Sequence, residues 1–159
     1  MNQRATARFR VIVFILTAAA IVFAFVHSAM PDDLSSKESE GVFAFLCGIL
    51  RFFGAGENLT ERIVRKLAHF SEYTAIGMFL TSCAYSFDRF KPYRYLAYVL
   101  FAGLGTAFVD ETIQLFSEGR AGMIIDMWID FSGVCLGTAV MLLFYILYQR
   151  IRRKKMKHE

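Results

Sequence analysis

Two stretches of the chain set polar, chemistry-bearing side chains inside otherwise apolar runs. RKLAHFSEY, from Arg65 to Tyr73, carries Arg65, Lys66, His69, Glu72 and Tyr73, and VDETIQLFSEGRAGMIIDMWID, from Val109 to Asp130, carries Asp110, Glu111, Gln114, Glu118, Arg120, Asp126 and Asp130. Two chemistries suit these residue types. Asp110, Glu111, Asp126 and Asp130, with a single histidine, form a donor set that favours a hard divalent cation, Mg²⁺ or Mn²⁺, over zinc. Such an ion would polarise a phosphoryl oxygen, with His69 as general acid or base assisted by Glu72 and with Arg120 stabilising transition-state charge. Alternatively, Lys66, His69 and Arg120 would hold a phosphate or carboxylate, with Glu72, Tyr73 and Gln114 completing the ligand-binding set.

The elements that must position these residues are membrane helices. The 159 residues are 56% hydrophobic and only 20% charged, more apolar than a soluble domain of this length. A span needs about 20 largely apolar residues to cross about 30 Å of hydrocarbon, and four segments qualify: 11–30, 67–87, 95–116 and 123–148. The first, preceded by Arg4, Arg8 and Arg10, has the layout of a signal peptide, but its apolar run is long for one and is read as a retained helix. The stretch GVFAFLCGILRFF, 41–53, is apolar but too short to cross, and is expected at the interface or as a re-entrant helix. The fold class expected is therefore an all-α polytopic bundle in a single domain of residues 1–159. Cys47, Cys83 and Cys135 are widely spaced and odd in number, which disfavours both a disulfide framework and a zinc site.

Charge asymmetry orients the bundle. The N-terminal tail, the loop 88–94 and the tail 149–159 together hold 12 of the 18 Lys and Arg but only 2 of the 14 acids, Asp88 and Glu159. These parts are expected in the cytoplasm, with both termini there. The basic tail then needs no nucleic acid to explain it: stop-transfer and anionic head groups suffice. The start of the second segment, the end of the third and the start of the fourth share the extracytoplasmic side, so residues scattered along the chain converge there. Helical spacing places Arg65, His69, Glu72 and Ile76 on one stripe, flanked by Lys66 and Tyr73. Gly103, Thr106, Asp110 and Gln114 share a face from which Glu111 is turned away, and Asp126, Asp130, Gly133 and Gly137 share another. The last two glycines make a GxxxG step suited to close helix approach.

Local pairing among head groups explains Arg65, Lys66, Glu118 and Glu111 as well as function does. Asp126 and Asp130, four residues apart at the edge of a span, would repel each other at high cost without a cation. His69 and Glu72 lie deeper, where ionisable side chains are functional by default.

The blocks RKLAHFSEYTAIG (Arg65 to Gly77) and DETIQLFSEGRAGMIIDMWIDFSGVCLG (Asp110 to Gly137) resemble the two signature blocks of the VanZ-like family. HSAMPDDLSSKESEG (His27 to Gly41) is similar to the serine-containing segment after that family's first helix. The pattern falls on Arg65, Lys66, His69, Glu72 and Tyr73, and on Asp110, Glu111, Gln114, Gly119, Arg120, Asp126, Asp130 and Gly133, with no departure at a charged position. The resemblance implies a multi-span protein of the bacterial plasma membrane. The family's namesake is associated with resistance to the glycopeptide teicoplanin without change to the peptidoglycan precursor's terminus, and the family brings no settled molecular activity.

Three functions follow as expectations. The first is a binding module whose outward-facing charged pocket takes a phosphate- or carboxylate-bearing envelope lipid, such as a lipid-linked cell-wall precursor, or a lipoglycopeptide. The second is an outer-leaflet, metal-dependent enzyme acting on lipid-linked (pyro)phosphates. The third is a transporter or flippase using the carboxylates as a proton relay. This last would need four short spans to oligomerise, and it is disfavoured because the ionisable residues cluster at one face.

Overall fold

The computed structural model of the chain describes residues 4–31, 60–118 and 122–155; the apolar stretch 41–53, Cys47, Arg120 and the last residues of the basic tail lie outside them. The described residues form four α-helices: α1 (Ala7–Ala29), α2 (Glu61–Phe87), α3 (Leu96–Gln114) and α4 (Ile124–Lys155), with one 3-10 turn, Pro92–Tyr95, leading into α3.

Local chemistry sets the helix ends. Thr6 caps α1, its Oγ1 accepting from Phe9 N–H at 3.4 Å. The helix stops at Met30, which is extended, as the residue before a proline must be. After α2, Asp88 Oδ1 accepts from the N–H groups of Phe90 at 2.9 Å and Lys91 at 3.0 Å, an Asx turn that hands the chain to Pro92 at the start of the 3-10 turn. Asp126 lies in the first turn of α4, where the helix dipole favours an acid.

The helices alternate in direction. Ala5 N–H donates to Ser86 O at 3.1 Å, joining the beginning of α1 to the end of α2. At the opposite end of the bundle, Ser28 of α1 meets Asp110 of α3, and Glu111 meets Met123 just before α4. Among the described residues, three helices are long and apolar enough to cross a membrane: Ala7–Ala29, Pro92–Gln114 (α3 with its 3-10 turn) and Ile124–Arg152. The helix α2 is long enough, at 27 residues or about 40 Å, but its first half is polar. It tolerates this because it is the inner helix, touching α1, α3 and α4. The surfaces turned outward are apolar: Phe101, Phe116 and Ile124 are each at least 75% exposed, and Val11, Ile12, Leu143 and Phe144 more than half. In water such a surface would aggregate, whereas in lipid it is the ordinary helix exterior.

Small residues set how closely the helices approach. A Cβ on Gly133 would lie 2.6 Å from Phe70 O, and one on Gly137 would collide with Thr74 O, so the GxxxG step of α4 lies directly on the α2 backbone. In return, Val134, fully buried, inserts between Gly77 of α2 and Gly103 of α3: a Cβ on Gly77 would strike the Val134 backbone, and one on Gly103 its Cγ1. Tyr73, Ile76, Ala107 and Ala24 complete the core around it. At the end away from Asp110, Tyr85 and Tyr145 stack with ring centroids 3.7 Å apart. Tyr145 Oη donates to Ser82 Oγ at 3.0 Å, and Gln149 Nε2 to Tyr85 Oη at 3.1 Å. Hydroxyls along the helices turn back onto their own carbonyls, as Thr74 does to Phe70 O and Thr81 to Gly77 O, so their polar groups are satisfied without water.

Candidate functional site

The site grows out of the stripes that pack the core. Along α2, His69, Tyr73 and Ile76 are buried on one face; along α3, Thr106 and Asp110; along α4, Asp130 and Val134. Each stripe is apolar or small at mid-bundle and polar at the end where α1 and α3 finish and α2 and α4 begin. The polar residues therefore meet in the interior of that end.

His69, Asp110 and Asp130 form the centre. Each offers one ligand atom, all three side chains are buried, and the atoms lie within 4.8 Å of one another. Asp110 is fully buried. Its Oδ2 accepts from Ser28 Oγ at 2.6 Å and from Gln114 Nε2 at 3.2 Å, while its Oδ1 is buried with no hydrogen-bond partner among the described residues. Asp130, 2% exposed, makes no hydrogen bond or ion pair among the described residues. Tyr73, fully buried below them, donates to Thr106 O at 3.5 Å, the edge of hydrogen-bond range. Beside the centre, Glu72 Oε1 lies 3.4 Å from His27 Nδ1, and the His27 ring stacks on His69 with centroids 5.5 Å apart.

The remaining sequence-derived candidates take other positions. Lys66 Nζ pairs with Asp126 Oδ1 at the rim, both side chains only partly buried, so the lysine's charge is matched to an acid. Glu111 is buried although it is turned from the Asp110 face. Its Oε2 accepts from Met123 N–H at 2.8 Å, anchoring the start of α4 to the last turn of α3. Gly122, just before α4, lies so close to the last turns of α3 that a Cβ on it would be 2.5 Å from Glu111 O. Of the four acids offered as metal ligands, Asp110 and Asp130 thus share the centre with His69, while Glu111 and Asp126 are engaged beside it. Arg120, in the stretch joining α3 to α4, is outside the described residues.

Two residues not among the sequence candidates join the site: His27 and Ser28, in the last turn of α1. Ser28 is fully buried, holds Asp110, and accepts from Ser117 Oγ through its own carbonyl at 3.0 Å. The available signals were the segment His27 to Gly41, which opens with both residues, and the alternating topology, which places the end of α1 beside His69 and Asp110.

Chemically, the centre is a small oxygen-rich cluster with one imidazole, wrapped in apolar helix. It suits a cation held from three sides or a polar group that donates to carboxylates. Neither a curated protein nor a solved structure shows significant similarity to the chain. The profile of the VanZ/LLP1 family matches residues 12–146, and with most of its length so matched the chain belongs to the VanZ/LLP1 family of membrane proteins.

Proposed function

We propose that this VanZ/LLP1 protein binds, at the extracytoplasmic face of the bacterial plasma membrane, the phosphate- or carboxylate-bearing head group of an envelope lipid or lipoglycopeptide. Both termini are cytoplasmic and the end carrying His69, Asp110 and Asp130 faces outward. The observation carrying this reading is the convergence of buried polar side chains from all four helices at one end of a bundle whose outer surfaces are apolar. A lipid-borne ligand would lay its chain along those surfaces and bring its head group to the polar end. Arg120, in the connection between α3 and α4, supplies the cation that Lys66, paired to Asp126, does not. The test is native mass spectrometry and lipid titration of the purified protein in nanodiscs, wild type against Arg120→Gln. Binding of a phosphate-bearing lipid should fall at least tenfold with the fold unchanged, and equal affinity in both would refute the reading.

The buried His69, Asp110 and Asp130 favour a second reading, metal-dependent attack on a lipid-linked (pyro)phosphate. Turnover of such lipids by purified protein, with and without added Mg²⁺ or Mn²⁺, separates the two. Phosphate release that requires the metal makes the protein an enzyme, and binding without turnover leaves it a binding module.

A further inference from the structure

We infer that His69, Asp110 and Asp130 bind one divalent cation, a resident ion that belongs to the bundle interior rather than to the head-group rim. The inference holds whichever head group the protein engages.

Three observations carry it. The three donors come from three different helices, α2, α3 and α4, and their ligand atoms already lie within 4.8 Å of one another. Ligands about 2.1 Å from one Mg²⁺- or Mn²⁺-sized ion lie roughly 3.0 to 4.2 Å apart in octahedral geometry, so small side-chain rotations close the shell. Second, one carboxylate oxygen is left over: Asp110 Oδ1 is buried with no hydrogen-bond partner among the described residues, and Asp130 beside it, 2% exposed, makes no hydrogen bond or ion pair among them. Two carboxylates facing each other in an apolar bundle need a shared cation or a shared proton. Third, Asp110 is held the way metal ligands are held by hydrogen-bond donors behind them. Ser28 and Gln114 both donate to Oδ2, fixing the carboxylate and leaving Oδ1 for the cluster.

The nearby charges assign the ion to this trio rather than to the acids at large. Lys66 satisfies Asp126, the Met123 N–H satisfies one oxygen of Glu111, and His27 sits against Glu72. Three protein ligands leave positions open for water or for an anionic oxygen of a ligand, so the ion would supply positive charge inside a site whose own side chains are mostly acidic. The donor set of two carboxylates and one imidazole suits Mn²⁺ and Mg²⁺.

The experiment uses full-length protein in nanodiscs and Mn²⁺ alone as the probe, with no lipid ligand added. Electron paramagnetic resonance titration should show one tight Mn²⁺ per chain. Asp130→Asn and His69→Gln should each weaken it at least tenfold, while Glu118→Gln, an exposed acid, leaves it unchanged. Should the Asp130 variant fail to fold, electron spin-echo modulation of Mn²⁺ on the wild type decides, because an imidazole ligand gives a nitrogen signature. No stoichiometric Mn²⁺ at neutral pH, as two carboxylates sharing a proton would give, overturns the inference. So does binding that survives both substitutions, or bound Mn²⁺ without the nitrogen signature.

Discussion

Gly133→Ala probes the contact that brings Asp130 to His69. The added Cβ would sit 2.6 Å from Phe70 O, where ordinary contact begins near 3.4 Å, and the obstacle is backbone that no rotamer change can move. The helices α2 and α4 must therefore part by about 0.8 Å. A gap of that size forfeits about a quarter to a half of the dispersion energy of each contact along the seam, and overpacking of a filled core costs about 1–3 kcal/mol. Alanine also gains up to about 1 kcal/mol over glycine in helix propensity, so the net loss should be about 1–2 kcal/mol. Gly105→Ala is the control, because nothing lies within 4 Å of its Cβ and it should be neutral or stabilising. The assay is reversible unfolding in mixed micelles followed by circular dichroism, with both variants run beside the wild type. Gly103→Ala extends the logic, since its Cβ meets the Val134 side chain rather than backbone. Val134→Ala should rescue Gly103→Ala in part and Gly133→Ala not at all. Equal stabilities for Gly133→Ala and Gly105→Ala would refute the packing argument.

Three further outcomes are expected. Lys66→Met and Asp126→Asn should be coupled by about 0.5–1 kcal/mol in a double-mutant cycle of unfolding free energies, the modest value of a partly exposed pair; zero coupling would remove the ion pair from the account. Ser28→Ala should cost about 1–3 kcal/mol in the same unfolding assay, because it takes the shorter of two donors from a fully buried carboxylate; an unchanged stability would mean that the 2.6 Å contact contributes nothing. With the three native cysteines replaced, Glu118→Cys should react with a membrane-impermeant maleimide in intact cells and Lys91→Cys only after permeabilisation; the reverse pattern would invert the proposed orientation.

Much of the arrangement was legible in the sequence, for identifiable reasons. Apolar length announces α1, α3 and α4, and the GxxxG step at Gly133 and Gly137 announces the α2–α4 seam, because only glycine lets two helix backbones touch. The joint position of His69, Asp110 and Asp130 follows from alternating direction plus helical period. What escaped sequence reading depends on how chain segments fold back. Glu111 lies 100° around α3 from Asp110, and it is the return of the chain at Gly122 and Met123 that brings it a partner. The pairing of Lys66 with Asp126 joins residues 60 positions apart and rests on the rotation of α4 against α2. Ser28 is a lone hydroxyl at the end of an apolar helix, indistinguishable by type from the serines and threonines that merely bond their own backbone.

The insertion of Val134 between Gly77 and Gly103 is the point where one side chain of α4 is gripped by α2 and α3 together. A tilt of α4 about that side chain would move its two ends unequally. Asp130 is four residues away, about 6 Å along the axis, so a 10° tilt carries it only about 1 Å. Gln149, fifteen residues the other way, would sweep about 4 Å under the same tilt. A tilt about Val134 would thus be felt at the Tyr85–Tyr145 end and little beside His69, Asp110 and Asp130. The short arm of such a lever would carry the buried carboxylates.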